Sequence, residues 1–139
     1  MAVYEKLHVD AWLINRLEAD ATLAGLISGV YSERIPSNRS LPAVRLQLMA
    51  APDVMGVGTH RIMTRYRYLV AGIVDGPSPG PLEPVLNRVD ELLQGASGES
   101  ATVVVMGVTR TESISYSEKT DGVDYWHVGG IYTLHVNQK

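Results

Sequence analysis

The stretch Arg61-Ile-Met-Thr-Arg-Tyr-Arg-Tyr-Leu-Val-Ala-Gly-Ile-Val74, followed by Asp75-Gly-Pro-Ser-Pro-Gly-Pro81 and then Leu82 to Gln94, decides the fold. Its first part alternates with a period of two, so Ile62, Thr64, Tyr66, Tyr68 and Val70 face one way and Met63, Arg65, Arg67, Leu69, Ala71 and Ile73 the other. That is the pattern of a strand. The second face begins charged and ends apolar, so its surroundings change along the strand. The Gly/Pro-rich breaker stops it. Leu82, Val85, Leu86, Val89, Leu92 and Leu93 then make one helical stripe, with Glu83, Arg88, Asp90 and Glu91 largely opposite. Pro81 suits the first turn of that helix and Gly95 its exit.

Working toward the N-terminus, Val3, Leu7, Ala11, Ile14 and Leu17 recur at helical spacing, which predicts a helix from Val3 to Glu18. Asp20 suits the cap of a second short helix, Ala21 to Ile27, closed by Gly29. Val30 to Ile35 reads as a short strand stopped by Pro36 and a polar turn through Ser40. After Pro42, Val44, Leu46 and Leu48 alternate with Arg45 and Gln47, which predicts a half-buried strand from Ala43 to Met49. Ala50 to His60 carries Pro52, Gly56 and Gly58 and reads as a mobile loop. Its Val54, Met55 and Val57 have no evident local core, so the loop is expected to be poorly ordered in the free subunit and to order under a partner.

Working toward the C-terminus, Thr102 to Ser117 reads as a strand or a bent pair, kinked at Gly107. Glu118 to Val123 is a turn with an Asp-Gly signal, and Asp124 to Val136 returns as the final strand. In that strand Trp126, Val128, Tyr132, Leu134 and Val136 share a side. The expected fold class is α+β in one domain, 1–139: a mostly antiparallel sheet of four to five strands with two to three helices packed on one face. A crossover through Leu82–Gln94 leaves open a parallel relation between two strands.

Composition narrows the function. A chain of 139 residues can bury a real core, and its net charge of −3 offers no general attraction to nucleic acid. There is no Lys/Arg block, and zero cysteines rule out disulfides and thiolate metal sites. Phenylalanine is absent while tyrosine occurs seven times, as suits half-buried sheet faces or contact surfaces. Met1-Ala-Val-Tyr-Glu-Lys-Leu-His8 places charges where a signal peptide needs an apolar run, and no segment approaches the roughly 20 apolar residues of a membrane span. A soluble protein made in the cytoplasm is the expectation.

Catalytic signals are missing. His127 and His135 share a strand face, but they are about 26 Å apart at strand rise and cannot hold one metal ion between them. His60 lies in the glycine-bearing loop near Asp53, and a solvated histidine accounts for it better than a metal site. No Gly-x-Ser-x-Gly elbow occurs, and Asp53-Val-Met-Gly-Val-Gly58 lacks the third glycine and the strand-to-helix setting of a dinucleotide loop. Asp90 and Glu91 are adjacent on a helix and so diverge. No enzyme activity, cofactor or metal is expected. Arg45, Arg65 and Arg67 are expected to cluster on the sheet face away from Val44 and Leu46. They form an exposed charged face, a protein interface of the kind in which arginine is enriched, or a path for phosphates.

Several segments together carry a family resemblance. Leu17-Glu-Ala-Asp-Ala-Thr-Leu-Ala-Gly-Leu-Ile-Ser-Gly-Val-Tyr31, Ile35-Pro36, Leu41-Pro-Ala-Val-Arg-Leu46, Arg67-Tyr-Leu-Val-Ala-Gly-Ile-Val-Asp75, Leu82 to Leu93 and Tyr125 to Val136 occur in this order. In that order the chain resembles the tail terminator (tail completion) proteins of long-tailed bacteriophages. The segments are pattern matches without a signature motif, and the Ala50–His60 loop departs from the pattern. The resemblance implies a virion structural protein at the head–tail junction, assembled in the host cytoplasm. It would be a subunit of a homo-oligomeric ring, six-membered in that family, that caps the tail tube and ends its growth. Its implied partners are the tail tube protein and the head-completion or connector protein, with genomic DNA passing through the ring without sequence-specific contact. Another head–tail connector, such as a head-closure protein, and a small α+β ligand-binding domain are the alternatives. The expected interface residues are Arg45, Arg65 and Arg67 on one side, Glu83, Asp90 and Glu91 on the other, and the loop residues Val54, Met55 and Val57.

Overall fold

The computed structural model describes residues 5–58 and 61–139. The chain forms α1 (Glu5–Glu18), α2 (Ala21–Ala24), β1 (Val30–Ser32), β2 (Ala43–Ala50), β3 (Asp53–Met55) and β4 (Arg61–Asp75). A single 3-10 turn (Gly80–Leu82) leads into α3 (Glu83–Leu93), and β5 (Gly98–Glu99), β6 (Val103–Thr120) and β7 (Val123–Gln138) complete it. One seven-stranded sheet results, in the order β1-β2-β4-β7-β6-β5, with β3 also paired to β4.

The sheet is larger than the four to five strands expected. β3 and β5 are three and two residues long, too short for a period of two to show in sequence. All pairings are antiparallel except β1–β2. The crossover through α3 sets β4 and β6 in the same direction, but β7 lies between them. The 50–60 stretch is not wholly a loop, because β3 pairs with β4 there. Thr64 Oγ1 donates to Asp53 Oδ1 at 2.7 Å, and the Arg65 amide donates to the Pro52 carbonyl at 2.9 Å. His60, expected in this loop, lies outside the described residues, as does the Val3 start expected for α1.

One sheet face carries the helices. Val9, Leu13 and Leu17 of α1, Leu23 of α2 and Val85, Val89 and Leu93 of α3 pack on Val44, Leu46, Tyr66, Tyr68, Val70, Tyr132, Leu134 and Val136. All of these are buried, so the helix stripes and the strand alternation meet as their periods require. In the expected α3 stripe, Leu82, Val85, Val89 and Leu93 are buried, while Leu86 and Leu92 are half-buried. Asp20 caps α2, accepting from the Leu23 amide at 2.8 Å, but the helix ends at Gly25 and not near Gly29.

The expected Thr102–Ser117 segment is one strand with two irregularities, β6, which begins at Val103 and runs on to Thr120 through the start of the expected turn. Register shifts fall between Val105 and Gly107 and between Arg110 and Glu112, so the bend foreseen at Gly107 is a bulge. The β6–β7 hairpin closes through Asp121 and Gly122, whose φ values are 52° and 77°. That two-residue, double left-handed turn is what an Asp-Gly pair favours. Beside it, β4 and β7 approach closely at Gly129, where an added Cβ would lie 2.6 Å from the Ala71 Cα and overlap the Val70 carbonyl oxygen.

Candidate functional site

The helix-free face of the sheet holds the three expected arginines, but the register separates one of them. Arg65 and Arg67 pair with His135 and Thr133 of β7. Arg45 pairs with Ala71, four residues beyond Arg67, or about 13 Å along the strand. The three therefore share a face without forming one cluster. Between them Leu69, Ala71 and Ile131 are buried, with Ile114 packed against them.

Arg45 belongs to a polar chain across this face. Its Nη2 donates to the Tyr116 hydroxyl at 3.3 Å, and the Tyr116 ring stacks on His127, with centroids 4.5 Å apart and planes 5° apart. His127 Nε2 lies 2.8 Å from Glu118 Oε1. Arg45 Nε and His127 Nδ1 are buried without a hydrogen-bond partner. A cleft of about 690 Å³ opens here between the Ile35–Leu41 segment and the hairpin tip, with Arg45, Ile73, Asp75 and His127 in its lining. Arg67 is 3.5 Å from Glu112. Among the described residues Arg65, which is exposed, has no such partner.

The acidic residues expected on one helix edge also divide. Asp90 accepts a hydrogen bond from the Tyr132 hydroxyl at 2.8 Å and lies 3.7 Å from Arg110, so it ties α3 to the sheet. Glu91 pairs with Arg88 at 2.8 Å. Glu83, in the first turn of α3, is exposed and has no ion-pair partner among the described residues. Of the apolar set, Val54 is half-buried opposite Met63, Met55 is 50% exposed and Val57 is fully exposed.

Sequence reading missed the acids beneath the helices. Tyr66 donates to Glu5 Oε1 at 2.9 Å, and Tyr68 donates to Asp10 Oδ1. Glu5 and Asp10 are both buried, and Lys6 Nζ reaches Asp10 Oδ2 at 2.8 Å. With Tyr132 and Asp90, three sheet tyrosines each donate to a helix carboxylate. Burial, and then the carboxylate, push all three phenols well above the ordinary tyrosine range. An available signal was the recurrence of Tyr66 and Tyr68 on the face that the helices must cover, since a buried hydroxyl needs a partner.

Among the described residues no three His, Cys, Asp or Glu side chains gather in a metal-holding group. No helix among the described residues is long and apolar enough to cross a membrane. What the arrangement offers is surface: a cleft on one face, an apolar projection at one end, and unpaired charges of opposite sign at Arg65 and Glu83.

No protein-family model and no curated protein matches the sequence. In fold, the chain is similar to a chain of the virion of a native gene transfer agent particle, with a TM-score of 0.66. The match covers 91% of this chain and 92% of that one at 14% sequence identity. At that identity the likeness is one of fold.

Proposed function

We propose that this chain is a structural protein of a phage-like virion and, within it, the tail terminator: a ring subunit that caps the tail tube, ends its polymerisation and joins tail to head. The observation that carries this reading is the fold likeness to a chain of a gene transfer agent virion, which runs almost end to end in both chains. The sequence resemblance to tail terminators, spread along the whole chain, points the same way. The surfaces fit as well. A closed ring needs two different complementary patches on each subunit, and the unpaired charges Arg65 and Glu83 lie on different elements of this one, β4 and α3. In this reading six copies close the ring, one rim meets the tube protein, the other meets the head-completion protein, and DNA passes through the middle.

Locating the chain in purified particles tests the proposal. Gold-labelled antibody against the chain is expected to mark one point per particle, where head meets tail. Label along the tail, at the baseplate or on the head shell would overturn it.

A further inference from the structure

We propose that the outer edge of β6 from Ser113 to Ser117 receives the Val54–Gly58 segment of a second copy of this chain as an added strand. Among the described residues the outer edge of β6 is paired with β5 at Val104 and Val105, then receives the Gly95 amide at the Val108 carbonyl. The Arg110 amide donates to Gln94 Oε1. Beyond Arg110 no backbone hydrogen bond from the described residues reaches that edge, while the inner edge pairs with β7 as far as the turn. Natural sheets blunt such edges with charge, proline or bulges. Ser113-Ile-Ser-Tyr-Ser117 carries no charge and no proline, and it lies past the last bulge.

Beside this edge, α3 leaves a groove. Leu86, Ser115 and Val128 are shared by two hollows there, of about 250 and 330 Å³, the first also lined by Ser113 and the second by Pro79 and Gly80. A strand laid along β6 would send alternate side chains into it. The donor has what that groove lacks. Val54-Met-Gly-Val-Gly58 is uncharged, Val57 is fully exposed, and β3 (Asp53–Met55), with which the segment begins, pairs by one edge with β4 among the described residues. The flanking charges are complementary: Glu83 lines the groove, and Arg65 stands on β4 opposite Pro52, two residues before the donor, each without an ion-pair partner among the described residues.

A subunit cannot satisfy itself in this way. The donor pairs with β4 at Arg61–Met63, whereas Ser115 is level with Gly72 through Val128, roughly 30 Å along the strand and on the other side of β4. The contact is therefore head to tail, the kind that closes rings. It rests on the ring reading only for that closure.

The chain's lack of cysteine gives a clean test. Val57→Cys and Ser115→Cys are made in separate chains, checked for unchanged circular dichroism, then mixed at high concentration under mild oxidation. The mixed disulfide is expected to form at least tenfold faster than either variant's homodimer, and adding Arg65→Glu to the Val57→Cys chain, which sets a carboxylate toward Glu83, is expected to slow that linking. A mixed pair that links no faster than the single variants overturns the proposal. Linking by a chain that gold labelling places away from the head–tail junction supports the edge contact and sinks the tail-terminator reading. Correct placement without linking sinks the edge contact alone.

Discussion

Asp20 and Arg88, 68 residues apart in sequence, meet in a two-point contact: Arg88 Nε donates to Oδ2 at 2.9 Å and Nη2 to Oδ1 at 2.6 Å. The same carboxylate caps α2 through the Leu23 amide, so one side chain fixes the start of α2 against α3. The Arg88 hydrogen bonds, and then the Leu23 amide, hold the Asp20 carboxyl down to about 2. A carboxylate whose folded value is depressed adds stability above its unfolded value, and that stability is lost as pH falls through the folded one. Asp20→Asn is therefore expected to melt lower than the parent at pH 7, with the gap closing between about pH 4 and pH 2. Urea melts across that range check it, and a gap that stays constant down to pH 2 would count against the contact.

The tyrosines give a second expectation at the other end of the scale. Tyr66, Tyr68 and Tyr132 have raised values, so the folded state keeps their protons where the unfolded chain would release them. Their contribution is full below about pH 10 and is lost as pH rises above it. Phenolate absorbance should show three of the seven tyrosines titrating only with alkaline unfolding. Tyr68→Phe removes the donor from buried Asp10 and should cost about 1–3 kcal/mol. Smooth titration of all seven in folded protein would refute the layer.

Gly129 and Gly107 should differ sharply on conversion to alanine. At Gly129 the new Cβ meets the β4 backbone, which cannot yield without moving the sheet, and overpacking of this kind costs about 1–3 kcal/mol. At Gly107 nothing lies within 4 Å of the Cβ position, so the variant should stay within about 0.5 kcal/mol of the parent. Equal melting temperatures for the two variants would mean that β4 and β7 do not approach as described.

Docking of α3 is tested at Val89, which is 2% exposed in the main core. Val89→Asp buries a carboxylate without a partner and should cost about 3 kcal/mol or more. Leu86→Ala should cost less, because Leu86 is half-buried and lines the groove beside β6. A Val89→Asp chain that melts like the parent would mean that the helix lies off the sheet.

Much of the fold was legible because the long elements bury one face each. β2, β4 and α3 follow from alternation or helical stripes, and Asp121-Gly122 marks its own turn. The strand count was not legible, since β3 and β5, three and two residues long, are too short to carry a period even though each pairs with the strand that follows it. The surface was half legible. Placing Arg45, Arg65 and Arg67 on one face needs only parity, but their spacing needs the β2–β4 register, which sequence does not supply. Likewise Asp90 and Glu91 read as solvated helix charges, and only the fold shows that Tyr132 and Arg88 hold them, leaving Glu83 free.

The central claim is that this chain stops the tail tube and joins it to the head. Electron microscopy of particles from a phage-like element lacking this gene measures it most directly, as a distribution of tail lengths and a count of joined particles. Overlong, unjoined tails beside DNA-filled heads are the predicted result, while unjoined tails of normal length would point to another connector component. Tails of normal length, joined normally to heads, would contradict the account.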